Sequence, residues 1–186
     1  MRALIVAVLL LAACATPPAE RALPPLRLAP ADYGASVSLV QRLTVWLNPD
    51  GQGEKAAAHS LDAQLEIDTE AVQLVGIALG QRVLNLRWDG RELASSRHAL
   101  LPQAVDAGHV LRDVQLVFWP AESVRAALPA GWTLRDTGAN ERTLLHAGQE
   151  LVRIRYEGVT RDTGRVELEN LLERYRMQIE TARNAE

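Results

Sequence analysis

Leu11-Ala12-Ala13-Cys14 is the one stretch of this chain whose residue types and spacing specify a covalent reaction. A branched residue, two small residues and a cysteine make a lipobox. Small side chains let a signal peptidase approach the backbone, and the thiol carries a diacylglycerol as a thioether. Cys14 is the only cysteine among 186 residues. Upstream, Met1-Arg2 supplies a minimal positive charge and Ala3 to Leu10 an apolar run of signal-peptide length. The expected mature chain starts at a lipidated Cys14 and is tethered to a membrane rather than spanning it. One acyl chain, at ~0.8 kcal/mol per buried CH₂, gives only reversible binding, whereas several make an anchor. The rival is an ordinary secretory peptide, since Ala13-Cys14-Ala15 also satisfies an A-x-A cleavage rule.

Other reactive constellations are missing. There is no G-x-S-x-G, phosphate loop, G-x-G-x-x-G or H-E-x-x-H. His59, His98, His109 and His146 sit in four separate segments, with no pair at metal-ligand spacing. His98 near Ser95-Ser96 lacks a nucleophile turn and an orienting carboxylate. Asp62, Glu66 and Asp68 share one face and read as a solvated surface. The expectation is a protein that is not an enzyme, with no catalytic residue, no metal and no cofactor. Arg112-Asp113 stands out because it sits within the strongest helix. Neighbouring helical residues do not face each other, so these two are expected to pair with other elements and dock the helix on a sheet.

Stepping to the elements, period-two alternation dominates after residue 36. Val37, Leu39, Leu43, Val45 and Leu47 share one face, and Leu61, Ala63, Leu65 and Ile67 alternate with Ser60, Asp62, Gln64 and Glu66. Ala71 to Leu79 is apolar almost throughout. Gln81 to Trp88 alternates again, and Asp89-Gly90 marks a hairpin into Arg91 to Arg97. The period then changes. Val110, Leu111, Val114, Val117 and Phe118 form a helical stripe, with Arg112, Asp113 and Gln115 on the polar side and Pro120 as the stop. Glu122 to Leu128 reads as a second short helix. Strand patterns return at Trp132–Asp136, Arg142–His146, Leu151–Tyr156, Val166–Leu168 and around Tyr175, Met177 and Ile179.

About ten one-sided strands cannot be covered by two short helices. The expected fold is therefore mainly β: a strongly curved antiparallel sheet forming an unclosed half-barrel, plugged by one or two helices. The expected division is a signal peptide over 1–13, a lipidated Cys14 with a Pro-rich tether over 14–35, one domain over 36–181 and a disordered tail over 182–186. The formal charge of −3 gives nucleic acid no attraction. Strand alternation for Leu61, Leu65, Leu84, Leu86 and Trp88, and the helical stripe for Val114 and Phe118, place these residues toward the concave interior, where they would line an apolar cavity. Trp46, Trp88, Trp119 and Trp132 read as core or cavity wall. Leu79, just before Gly80 at a strand junction, is either the last core residue of its strand or an exposed apolar tip.

Three stretches carry a resemblance: His59-Ser60-Leu61-Asp62-Ala63-Gln64-Leu65-Glu66, Gly80-Gln81-Arg82-Val83-Leu84, and Leu111-Arg112-Asp113-Val114-Gln115-Leu116-Val117-Phe118-Trp119-Pro120. Through them the chain resembles the bacterial lipoprotein family called domain of unknown function 3261. More distantly, its order of elements is similar to that of the outer-membrane lipoprotein receptor LolB and the carrier LolA. That likeness implies an unclosed barrel with a helical lid over a cavity that accepts acyl chains, and gives Leu79 the part of a protruding leucine. Ala15, where inner-membrane lipoproteins tend to carry Asp, implies the outer membrane. The functional expectation is an outer-membrane-anchored periplasmic lipoprotein that binds an acyl or other apolar ligand in lipid or lipoprotein trafficking. Its partners would be the membrane, through the N-terminal lipid, and an acyl chain or lipoprotein. The alternative is a self-filled scaffold that assists envelope assembly through protein–protein contacts. The residues set no oligomeric state.

Overall fold

The computed structural model describes residues 22–47, 58–101, 105–158 and 160–183. The segment read as a signal peptide and lipobox, Cys14 included, lies outside the described residues. Ten strands and two helices follow one another: β1 (Val37–Leu47), β2 (Ala58–Ile67), β3 (Val72–Ala78), β4 (Gln81–Trp88), β5 (Leu93–Arg97), α1 (Ala107–Phe118), α2 (Ala121–Ala127), β6 (Trp132–Thr137), β7 (Glu141–His146), β8 (Gln149–Glu157), β9 (Gly164–Asn170) and β10 (Tyr175–Arg183).

All ten strands join one antiparallel sheet in the order β5-β4-β3-β2-β1-β10-β9-β8-β7-β6. Hairpins connect neighbours in each half, and β1 pairs with β10 to join the halves, Leu43 standing opposite Ile179. The sheet does not close, because β5 and β6 are its edges. The chain crosses from one edge to the other through α1 and α2. Register shifts at Gly76/Ile77 and Leu144/Leu145 mark bulges, which sharpen the local twist and help a sheet curl. The concave face carries the core, with Leu39, Leu65, Leu74, Leu86, Ile154 and Leu168 among its buried residues. The sequence expectation of a curved, unclosed antiparallel sheet with two helices describes this architecture.

Two parts of the sequence reading need correction. The stretch read as a Pro-rich tether up to residue 35 is packed from Leu23 onward. Leu23, Leu26 and Leu28 are buried in the core, and Pro30–Tyr33 forms a 3-10 turn. This strap is pinned by side chains far away in sequence. The Gln115 side chain brackets Leu28, accepting from its N–H at 3.3 Å and donating to its carbonyl at 3.1 Å. Trp88 Nε1 donates to the same carbonyl at 2.8 Å, and Trp119 Nε1 donates to Ala29 O at 3.2 Å. At the other terminus β10 continues through Arg183, two residues into the stretch read as a tail.

The second correction concerns α1. Arg112, Asp113 and Gln115 occupy the side read as polar, yet all three are buried. The helix lies inside the half-barrel with the sheet on one side and the strap on another, so it has no wide solvent face.

Candidate functional site

The antiparallel alternation sorts the connections between two ends of the half-barrel. One end holds the C-terminal end of β1, the start of β2, the β3–β4 and β9–β10 turns, and the segment after β5. The start of α1 lies at this end too. Asp106 caps the helix, its Oδ1 accepting from the N–H groups of Gly108 (2.8 Å) and His109 (3.2 Å). That fixed start aims the first turns of α1 across the ends of β1, β2 and β10.

Between them is a cavity of about 390 Å³. Its apolar wall is Val45, Leu47, Leu61, Leu101, Val105, Val110 and Met177. Gly76 helps shape it, because a β-carbon there would meet Leu61 Cδ1 at 3.1 Å and Leu84 Cβ at 3.3 Å. His59, Asp106, His109, Asp113, Glu173 and Tyr175 complete the wall.

The polar members of that wall are tied together. Arg112 Nε donates to Asp113 Oδ1 at 3.0 Å, and its two terminal nitrogens make a bidentate pair with Glu173 at 2.7 and 2.8 Å. Tyr175 Oη donates to Asp113 Oδ2. Asn170 closes the ring, donating to Glu173 Oε2 and accepting from the Glu173 N–H. Arg112 and Asp113 do dock the helix on other elements, as expected, and in addition they bond each other. Burial pushes the Asp113 carboxyl above its ordinary range, outweighing Arg112 and Tyr175. Burial, reinforced by the Asp113 charge, also raises the Tyr175 phenol. Burial works against the Arg112 guanidinium, but the neighbouring carboxylates prevail and keep it charged. The network is an anchor with its hydrogen-bonding capacity directed inward, not a nucleophile with a base.

Of the seven residues expected to line a cavity, Leu61 does so. Leu65, Leu84, Leu86, Trp88 and Phe118 are packed core, and Val114 lies partly buried against it. The strap explains this: Leu26 and Leu28 fill the volume these side chains face. Leu79 is 90% exposed at the tip of the β3–β4 hairpin. Trp88 and Trp119 are buried, while Trp46 stacks under Arg176 and Trp132 against His146. His59 and His109, distant in sequence, border the same cavity. No group of three or more metal-ligating side chains occurs among the described residues. Asp62 pairs with Arg42 on the solvated face, at 2.9 Å. No helix among the described residues is long and apolar enough to cross a membrane.

Sequence reasoning missed Tyr175 and Glu173 as partners of α1. Only the adjacent charges of Arg112-Asp113 within the helix signalled that partners lie elsewhere, and those partners stand about 60 residues downstream. No curated protein matches the chain. A family described as protein of unknown function (DUF3261) matches residues 38–183, from β1 to the end of β10, and the chain belongs to that family.

Proposed function

We propose that this protein is a non-enzymatic lipoprotein that holds an acyl chain or a similar apolar group in the cavity under the first turns of α1. In this reading a diacylglyceryl group on Cys14 tethers it to the periplasmic face of the outer membrane, and it serves lipid or lipoprotein trafficking. The observation that carries the reading is the cavity itself. Well-packed interiors hold few voids larger than a water molecule, whereas about 390 Å³ falls within the range of ~300–1,000 Å³ typical of small-molecule sites. Most of the half-barrel is filled by its own side chains and by the strap, so this volume is confined to one end. Affinity would come from apolar burial, about 25 cal/mol per Å² before the costs of binding. The wall's polar groups are engaged with one another, which suits a holding site better than a reaction. In this reading the fold is analogous to that of LolB and LolA.

A fluorescent fatty-acyl probe tests the reading. The wild-type protein should bind it saturably, and Met177→Trp or Leu61→Trp should weaken binding at least about tenfold by occupying the volume. Thermal stability should change little in at least one of the two, since a ring placed in a void need not displace its neighbours. If the wild type shows no saturable binding, the packed-scaffold alternative replaces this one.

A further inference from the structure

Six large apolar side chains are exposed among the described residues, and they are unevenly placed. Leu79, Leu100 and Leu171 sit on three separate connections and Leu47 ends β1, all at the end where the cavity lies, and Ile77 is two residues from the same hairpin tip. Only Val40, near the start of β1, lies away from that end. Leu79 is the most exposed of them and occupies a left-handed conformation (φ 52°) in a two-residue turn with Gly80 (φ 72°). Such turns favour Asn-Gly, because a leucine there is strained. A strained, solvated leucine stabilises neither the turn nor the core.

The strap shows what these leucines would meet. Leu28 is held by Gln115 and Ala29 by Trp119, so the strap advances in the same direction as α1. Consistently, a β-carbon at Gly108, in the first turn of α1, would lie 3.2 Å from Arg27 Nη2. The same Arg27 guanidinium lies 5.6 Å from the centroid of the Trp88 ring, so it links the strap beside Leu28 to the start of α1 at the cavity end. Cys14 is nine residues before Leu23, a reach of at most about 30 Å.

We infer that the cavity end of the half-barrel docks on the lipid surface in which the N-terminal acyl chains are embedded. Leu47, Leu79, Leu100 and Leu171 enter its interfacial layer, and the cavity faces the bilayer. The inference rests on the Cys14 anchor of the proposed function and not on the identity of the ligand. It makes the bilayer itself the source or acceptor of an acyl ligand.

Because Cys14 is consumed by acylation, a cysteine placed elsewhere can be labelled selectively. The acylated full chain, bearing an environment-sensitive fluorophore at Leu79→Cys, Leu171→Cys or Val40→Cys in turn, is reconstituted in phosphatidylethanolamine/phosphatidylglycerol vesicles. Flotation reads the anchor, and quenching by bromine-substituted acyl chains reads the depth. Labels at 79 and 171 should shift to the blue and be quenched several-fold more than the label at 40. Leu79→Asn should reduce quenching at 171 while flotation is unchanged. Protein that floats with all three labels equally exposed to water overturns the orientation and leaves the anchor standing. Protein that does not float removes the anchor and this orientation together.

Discussion

The two ends of the half-barrel are built from similar parts and put them to opposite uses. At the far end Arg142 is fully buried and closes α1: its Nη1 donates to the carbonyls of Leu116 and Trp119, both at 2.8 Å, while Nε and Nη2 grip Asp136. Those carbonyls are among the last four of a helix, which have no partner within it. Tyr156 Oη donates to Val117 O nearby, and Arg161 adds a second cation to Asp136. The charges of this cluster are spent on sealing. At the cavity end Arg112 makes a comparable set of bonds, but they border open volume and a ring of exposed leucines. A buried arginine is therefore no mark of function in this molecule. What distinguishes the ends is whether the space beside the ion pair is filled.

The comparison breaks most readily at Arg142. Arg142→Met strands the buried helix carbonyls and should cost about 3–5 kcal/mol in denaturant unfolding, as removal of one partner from a buried pair does. Arg112→Met should cost less. The Glu173 side chain is 23% exposed and can rehydrate, and burial already favours the protonated form of Asp113. An equal or larger loss at Arg112 would show the cavity end to be as tightly built as the sealed one.

The same contrast has a pH signature. Burial opposes ionisation of Asp136, yet Arg142 and Arg161 prevail and hold its carboxyl below the ordinary range. Its contribution to stability is complete above the unfolded value of about 3.9 and is lost as pH falls through the depressed folded value. Asp113 has the opposite sign. Its raised pKa means that the folded state takes up the proton first, so its contribution is complete below the unfolded value and declines as pH rises through the folded one. Asp136→Asn should therefore flatten the acid limb of a stability–pH curve. Asp113→Asn should remove a decline on the less acid side. Curves that respond identically would mean that the two sites share one electrostatic environment.

How much of this could be read beforehand follows from locality. The strand from Ser60 to Ile67 and the hairpin at Asp89-Gly90 announce themselves within a few residues, because period-two burial and turn chemistry are local. Asp89 accepts from the N–H groups of Arg91 and Glu92, as such a turn requires. The curved sheet then follows from having too little helix to cover the strands. The strap escaped because its prolines dominate the local pattern, while what holds Leu28 is Trp88 and Gln115, about 60 and 87 residues away. A hint was present in Leu23, Leu26 and Leu28, apolar residues that a solvated tether does not need. Arg142 drew no notice in the sequence, because β7 is buried on both sides from Arg142 to Leu145 and shows no alternation there. The cavity was displaced toward one end for the same reason: the strap occupies the centre.

The smallest expected effect is also the sharpest test of what separates the two ends. Leu79 carries a backbone strain that Asn tolerates, and its side chain contributes little to the core at 90% exposure. Leu79→Asn should leave the fold intact and raise stability by up to ~1 kcal/mol. A fully buried core leucine such as Leu26 should instead lose about 2–5 kcal/mol on truncation to Ala. A residue whose replacement stabilises the protein is retained for something other than folding. If Leu79→Asn destabilises by more than ~1 kcal/mol, the hairpin tip belongs to the core after all, and the apolar cavity end loses its most prominent member.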